Sequence, residues 1–275
     1  MKKIILICLL ILANLTYAQE ESNWTKKGNI NLLFNQSAFN NEWLGGGTSN
    51  IAGNLNLNYE FNYTKEDWTW DNRIIASYGL TKIKDEQMTK SEDRLELNSI
   101  LGKKASKNWY YSAIVNFKTQ MDRGENKDGK YISHFMSPAY LQTGLGMLYK
   151  KSDNFKLNIA PVTGKLILVD KQFTATSSLF GVAQGETIRR EIGASVNVYS
   201  KNEIFRNVTL ENILNLYSNY IEDAQNIDVD YTINIVMKIN NYMSTNIAFQ
   251  TIYDDNAISA AQVKEVFGLG VNYGF

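Results

Sequence analysis

Residues 263–275 read V-K-E-V-F-G-L-G-V-N-Y-G-F. In it, the apolar Val271 and Tyr273 alternate with the polar or small Asn272 and Gly274. Successive side chains of a β-strand point to opposite faces, so the stretch predicts a strand with one apolar face and one small or polar face.

The same alternation repeats along the chain. Its clearest instance is residues 51–63, where Leu55 and Leu57 share one face and Asn54 and Asn56 share the other. A period of two indicates strands, because helices have a period of 3.6. Twelve strands are predicted, at residues 28–38, 51–63, 68–81, 92–103, 108–121, 136–149, 155–168, 187–199, 206–220, 226–239, 243–253 and 263–275.

The predicted connections alternate in length. Those after even-numbered strands are short and polar, as at 64–67, 151–154 and 240–241. Those after odd-numbered strands are mostly long, at 39–50, 82–91, 122–135 and 169–186, with 221–225 as a short exception. This alternation is typical of membrane barrels with short periplasmic turns and longer external loops. We therefore predict an all-β fold, a transmembrane antiparallel up-and-down β-barrel of about 12 strands.

Aromatic residues accumulate near both ends of the predicted strands, with Trp70 and Tyr199 close to the short turns and Tyr140 close to the other rim. Two aromatic girdles are expected where a barrel crosses the two interfaces of a bilayer.

The first residues resemble a secretory signal peptide. Lys2 and Lys3 precede an apolar run over 4–12, and small residues lead to a predicted cleavage site after Ala18. We expect residues 1–18 to be the signal peptide and residues 19–275 to be one barrel domain. The final Phe275 resembles the signal that inserts barrels into the outer membrane of Gram-negative bacteria, so we expect that location, with both termini periplasmic.

Composition narrows the function classes. No apolar stretch of about 18 residues follows the signal peptide, which excludes a helical membrane protein. Without Lys2 and Lys3, 26 basic residues stand against 28 acidic ones, and no basic patch indicates a nucleic-acid partner. The expected partners are outer-membrane lipid, lipopolysaccharide and other outer-membrane proteins. No cofactor is expected.

If the apolar faces contact lipid, the opposite faces line the lumen. Burying their charges is costly unless they pair or stay hydrated. Two hypotheses follow: an ion-pair network that braces the barrel, or a solute pathway whose selectivity these groups set. The candidate lumen residues are Asp71, Arg73, Glu92, Arg94, Glu96, Lys118, Arg189, Glu191, Glu211, Asp228 and Asp230.

An enzyme at the external rim is the alternative. It would need a base, and the chain has one histidine, His134. Its candidate partners in external loops are Ser177, Ser178, Asp254 and Asp255. No spacing ties them to His134, so we expect no enzymatic activity and no catalytic or metal-binding residues.

Two predicted loops contain residues that also occur in ion-binding loops. Asn126, Asp128 and Gly129 fit three positions of a calcium-binding loop, but its first and last positions lack carboxylates. The triplet Gly45-Gly46-Gly47 lies between predicted strands, whereas phosphate-binding loops lead into a helix.

Several stretches resemble one uncharacterised Bacteroidota family, domain of unknown function 3078. They are N-E-W-L-G-G-G-T-S-N at 41–50, D-R-L-E-L-N at 93–98, S-K-N-W-Y-Y-S at 106–112, P-V-T-G-K at 161–165 and N-I-D-V-D at 226–230. The resemblance implies an outer-membrane β-barrel in a Gram-negative bacterium and no established substrate or reaction.

The expected function is a non-enzymatic, porin-like outer-membrane barrel. It would act as a structural or accessory subunit of an envelope complex, or as a small-solute channel. The alternatives are a rim hydrolase that uses His134 and a water-soluble periplasmic barrel.

Overall fold

The structure is a computed structural model, and it describes residues 22–40, 47–126 and 129–275. The predicted signal peptide, the glycines Gly45 and Gly46 and the loop residue Asp128 lie outside the described residues.

Fourteen strands and one short helix make up the described chain. The helix, α1, spans Lys171–Thr174. The strands are β1 (Trp24–Ser37), β2 (Asn50–Lys65), β3 (Trp68–Ile83), β4 (Thr89–Ser106), β5 (Trp109–Thr119), β6 (Gly124–Glu125), β7 (Tyr131–Ser133), β8 (Ala139–Ser152), β9 (Phe155–Leu168), β10 (Ile188–Phe205), β11 (Val208–Asn219), β12 (Ile227–Lys238), β13 (Met243–Asp254) and β14 (Ile258–Gly274).

Twelve of these strands form one closed antiparallel barrel, in the order β1-β14-β13-β12-β11-β10-β9-β8-β5-β4-β3-β2. The predicted fold class and strand number are confirmed. The remaining two strands, β6 and β7, pair with each other in the connection between β5 and β8. None of the described helices has the length and apolar character needed to cross a membrane.

Several barrel strands extend beyond the predicted bounds. β10 continues to Phe205 and β14 begins at Ile258. The sequence predicts connections at residues 200–205 and 258–262 instead. The connection between β3 and β4 is therefore reduced to 84–88, and that between β13 and β14 to 255–257. Strand pairing continues past the apolar stretches because polar residues also form ladders where the hairpins leave the membrane.

The barrel is apolar outside and polar inside. Large apolar side chains such as Leu145 and Val263 are more than 60% exposed on the outer wall. Inside, Glu96, Asn158 and Glu191 are less than 5% exposed. A water-soluble barrel would have the opposite arrangement, whereas an apolar outer wall is stable against acyl chains. The barrel therefore spans a bilayer.

Two aromatic residues assigned to the rims face the lumen instead. The Tyr199 hydroxyl donates to Glu211 at 3.0 Å, and Tyr140 pairs across the strands with the inward Lys118. The position of each residue in the inward–outward alternation of its strand sets this orientation. Closeness to a rim carries no information about it.

The seam between β1 and β14 closes the barrel with fewer pairs than the other interfaces. Six residue pairs join the two strands, from Asn29–Gly274 to Phe34–Leu269, whereas β1 and β2 share fourteen. Above Phe34 the described part of β1 leaves β14, and Phe39 hydrogen-bonds to Ser49 beside β2. The barrel is therefore closed by the lower half of the seam, where Asn29 to Phe34 pair with β14.

The ring of Phe275 seals this lower half. Gly28 and Phe275 exchange two backbone hydrogen bonds, of 2.7 and 2.9 Å. The ring lies over Gly28, so close that a Cβ there would be 2.2 Å from it. Tyr59 and Tyr273 stack on it with centroid distances of 6.0 and 5.9 Å. A residue without a side chain is thus needed where the two strand ends meet.

The substitution Gly28→Val should destabilise the barrel, because its side chain would displace the Phe275 ring from between the two tyrosines. We expect a loss of about 1–3 kcal/mol, as for other overpacked sites, measured as a lower urea midpoint in detergent. Gly53→Val is the matched control, since the nearest atom to its Cβ is 4.0 Å away. Equal midpoints for the two variants would contradict this role of Gly28.

A second pair of variants tests which side of β2 contacts lipid. Leu57→Arg places a charge on the outer wall near mid-membrane and should reduce insertion by about 2–4 kcal/mol. Asn56→Arg, one residue away, points into the lumen and should be tolerated better. The measurement is the folded fraction after refolding into lipid vesicles, and equal losses would contradict the orientation.

Candidate functional site in the barrel lumen

The lumen is crossed by polar side chains that strand alternation directs inward. The register places inward residues of neighbouring strands opposite one another, as in Glu96–Lys118 and Asn215–Asp230. Long charged side chains then reach further than the adjacent strand. The candidate site is this set of contacts together with the spaces between them.

One ion pair joins opposite walls of the barrel. Arg73 on β3 and Glu211 on β11 lie six strands apart in either direction around the twelve-stranded ring. Their Nη2 and Oε1 atoms are 3.1 Å apart. We call this pair the lower bar. The two strands lie on opposite sides of the ring, so the ion pair between them spans the bore.

Neutral partners hold the lower bar in place. Asn58 accepts from the Nε of Arg73 at 2.9 Å. On the other wall, Tyr199 and Asn234 donate to the two carboxylate oxygens of Glu211 at 3.0 and 2.9 Å. Charged groups taken out of water are stable only with such additional hydrogen bonds.

A second ion pair, the upper bar, crosses the bore closer to the long connections. Lys118 on β5 and Asp230 on β12 are five strands apart, and their Nζ and Oδ2 atoms are 3.0 Å apart. Gln250 donates to the other Asp230 oxygen at 2.7 Å. Beside this bar, Arg94 pairs with Glu96 on the same strand.

Lys165 gathers three carboxylates from three strands. Its ammonium nitrogen is 2.8 Å from Asp228, 3.3 Å from Asp254 and 3.4 Å from Glu191. It also lies 5.0 Å from the centre of the Tyr217 ring, a cation–π contact. The lysine therefore supplies the positive charge that these acids require.

Asp228, Asp254 and Asp255 form the one group of metal-ligating side chains found in the described ranges, with oxygens within 4.8 Å of one another. Lys165 already bonds two of the three, and Asn226 donates to Asp255 at 2.8 Å. Lys165 therefore offsets part of the negative charge of this cluster, and the Asn226 amide is a neutral donor to Asp255.

All eleven candidate lumen residues lie on the inner face. Glu92 binds Lys264 at 2.7 Å, and Asp71 binds Lys150 and Lys156 at 2.8 and 2.7 Å. Arg189 bonds Glu191 at 2.6 Å and Glu222 at 2.7 Å. The other seven are the members of the two bars, the Arg94–Glu96 pair and Asp228.

Three lysines that complete this network, Lys150, Lys156 and Lys165, were not predicted from the sequence. Lys156 is at an even position and Lys165 at an odd one, so strict alternation along β9 would place them on opposite faces of the sheet. The structure reconciles them with a register shift between Ile159 and Val162. Pro161 was the available signal, because proline within a sheet is confined to edges and bulges.

The bars leave two cavities along the axis. The lower cavity measures about 160 Å³ and is lined by Arg73, Glu96 and Asn158 together with several apolar side chains. The upper cavity measures about 390 Å³ and is lined by both members of the upper bar, Lys165 and Tyr217. Glu96, Asn116 and Asn215 line both, so they mark the level that separates the cavities.

The connection between β9 and β10 covers the upper cavity. Val182 is fully buried against Ile167 and Val169, and this cluster anchors the loop. Phe180 lines the cavity, and a Cβ placed on Gly181 would lie 3.5 Å from the Asn256 carbonyl oxygen in the β13–β14 turn. Arg189 donates to the Gly181 carbonyl at 3.1 Å. Residues 169–187 therefore form a roof from one side of the mouth to the other.

His134 belongs to the outer face of this roof. Its Nδ1 lies 2.7 Å from the Phe135 carbonyl, and its Nε2 lies 3.3 Å from Asp170 and 3.2 Å from Gln172. The Gln172 amide and the His134 ring hold the pKa of Asp170 below its usual range. Asp170 is therefore ionised at neutral pH and loses its charge as the pH falls through that lowered pKa.

The hydrolase partners proposed for His134 lie elsewhere. Among the described residues, no hydrogen bond joins His134 to Ser177, Ser178, Asp254 or Asp255. Asp254 bonds Lys165, and Asp255 bonds Asn226. Both ring nitrogens have neighbours, Phe135 on one side and Asp170 and Gln172 on the other, so His134 links its own connection to the roof.

Residues 34–124 match the family described as "Protein of unknown function (DUF3078)". The match covers about a third of the chain. It includes the stretches at 41–50, 93–98 and 106–112 that carried the family resemblance, while those at 161–165 and 226–230 lie outside it. No curated protein matches the sequence.

Similar solved structures are outer-membrane barrels. The COG4313 outer membrane channel from Pseudomonas putida F1 is 12% identical, with a TM-score of 0.43 over 94% of this chain and 97% of that one. The translocator domain of the autotransporter NalP from Neisseria meningitidis is 9% identical, with a TM-score of 0.41 over 100% and 96%. The channel DcaP of Acinetobacter baumannii is 10% identical, with a TM-score of 0.34 over 92% and 97%. The fold of this protein follows from its own strand pairing.

Replacing His134 with Ala tests the hydrolase alternative directly. We expect hydrolysis of ester and peptide substrates by the purified barrel to be at background level before and after the substitution, because none of the candidate serines in the described part of the chain contacts the ring. Thr176→Ala is the matched control, since Thr176 is an exposed residue of the same connection and is not a candidate partner. An activity that disappears with His134 and survives Thr176→Ala would establish an enzyme.

Proposed function

We propose that this protein is a non-enzymatic barrel of the outer membrane of a Gram-negative bacterium, in which it acts as a structural or accessory subunit of an envelope complex. The observation that carries the proposal is the lower bar, Arg73–Glu211, which joins opposite walls of the bore. A bore crossed by satisfied ion pairs holds its walls at a fixed distance and leaves no continuous open path.

The location is supported by the inside-out barrel and by the apolar outer wall. Both ends of the barrel chain lie at the rim with the short turns, since β1 starts and β14 finishes there. In an outer-membrane barrel this rim is periplasmic. The family resemblance supports an organism among the Bacteroidota, and the predicted signal peptide supports export from the cytoplasm.

The surroundings of the barrel follow from the same placement. Outer-membrane lipid and lipopolysaccharide would cover the apolar wall, and other outer-membrane proteins would be the partners in a complex. Nothing in the charge distribution favours nucleic acid.

A small-solute channel is the second candidate. The two cavities favour it, because they lie in line along the axis and share the lining residues Glu96, Asn116 and Asn215. Movement of these side chains would join them.

Planar-bilayer recording separates the two candidates. The wild-type protein should show no steady conductance. A variant that lacks both bars, Arg73→Ala, Glu211→Ala, Lys118→Ala and Asp230→Ala, should conduct, because each cation is removed together with its anion and none is left buried alone.

The matched control is Arg190→Ala with Glu265→Ala, which removes one charge of each sign from exposed positions outside the lumen. It should stay silent. Discrete conductance steps in the wild type would overturn the closed barrel and establish the channel, whereas silence together with a partner that co-purifies at fixed stoichiometry supports the accessory role.

A further inference from the structure

The lower cavity contains an apolar patch inside an otherwise polar lumen. Seven of the residues that line it are aliphatic, and five of these occupy inward positions on strands whose other inward residues are largely polar. Leu148 is fully buried and Ile114 is 8% exposed. These five lining residues are Ile75, Ile100, Ile114, Leu148 and Ile213.

The size of the space suits one small molecule. It measures about 160 Å³. An apolar cavity of about 150 Å³ is large enough to bind benzene and can stay free of water. A molecule of six or seven non-hydrogen atoms therefore fits the lower cavity.

One buried donor in the cavity wall has no partner. Asn158 is 3% exposed and lines the lower cavity, and its Nδ2 makes no hydrogen bond. Its Oδ1 accepts from Ser112 at 2.6 Å, which fixes the amide. A buried unsatisfied donor is costly, and an acceptor supplied from outside the chain would remove that cost.

The charges around the cavity are already neutralised. Arg73 has Glu211, Glu96 has Arg94, and Asp71 has two lysines. A charged ligand would have to leave water and compete with these internal pairs. The site therefore favours an uncharged molecule.

We infer that the lower cavity binds one small, uncharged molecule with an apolar, ring-sized body and a single hydrogen-bond acceptor directed at Asn158. This inference is independent of the proposed function, because the cavity exists in both a closed barrel and a gated channel. Conductance recording tests the proposed function, and ligand titration tests this inference.

Cyclohexanone and methylenecyclohexane form a matched pair of probes. They share ring and shape, and only the ketone carries an oxygen acceptor. Each is titrated into the full barrel in detergent, with isoleucine methyl groups labelled for NMR. Inner methyls (Ile75, Ile100, Ile114, Ile213) report the cavity, and outer methyls (Ile30, Ile159, Ile192) report dissolution of the probe in the detergent.

With cyclohexanone, the inner methyl resonances should shift to saturation, while the outer ones drift linearly. Methylenecyclohexane should bind the cavity about tenfold more weakly, because one hydrogen bond to a buried donor is lost. Inner shifts that stay linear and parallel to the outer ones would overturn the site.

Variants separate the site from general effects. Ile114→Phe fills the cavity and should abolish saturation, and Ile213→Phe does so from the opposite wall if the first variant fails to fold. Leu145→Phe adds the same ring on the exposed outer wall and should leave binding unchanged.

The double variant Asn158→Leu with Ser112→Ala removes the donor without leaving the serine unpaired. It should reduce the preference for cyclohexanone from about tenfold to near equality. A preference that survives this change would overturn the role of Asn158. A water contact of the Asn158 amide that saturating cyclohexanone does not displace would assign the donor to an ordered water and overturn the inference.

Discussion

Closure of the sheet is the constraint on which the rest of the structure depends. In a bilayer no water satisfies a free strand edge, so each backbone amide within the apolar band needs a partner in the sheet. Twelve antiparallel strands meet this demand by pairing β14 with β1. The seam is short, and it depends on the contact between Gly28 and the Phe275 ring.

Closure in turn determines what the inner wall must do. A barrel whose apolar side chains face lipid has to place its charges inside, where each needs a partner or water. Arg73–Glu211 and Lys118–Asp230 meet this need by reaching across the bore. The same contacts that satisfy the charges thereby fix the walls and divide the lumen. Asn158 is an exception, because its Nδ2 has no hydrogen-bond partner. It lies where the inner wall becomes apolar.

The prediction of fold succeeded because its signal is local. Alternation of apolar and polar residues, as in Leu55-Asn56-Leu57, follows directly from the geometry of a strand. It gave all twelve barrel strands, and 155–168 was predicted with the observed bounds. The strand ends at 200–205 and 258–262 were missed because pairing outside the membrane does not require apolar residues. The β6–β7 hairpin is too short to show a period.

The sequence by itself determined the fold class, the apolar outer wall and the polar character of the inner face, since these depend on periodicity. The tertiary structure alone decided which charges meet. Arg73 and Glu211 are 138 residues apart, and only the closure and register of the sheet bring them together. The shift around Pro161 turned Lys165 inward, and the fold of residues 169–187 placed Asp170 and Gln172 beside His134. Such contacts depend on the whole ring of strands, so no local pattern encodes them.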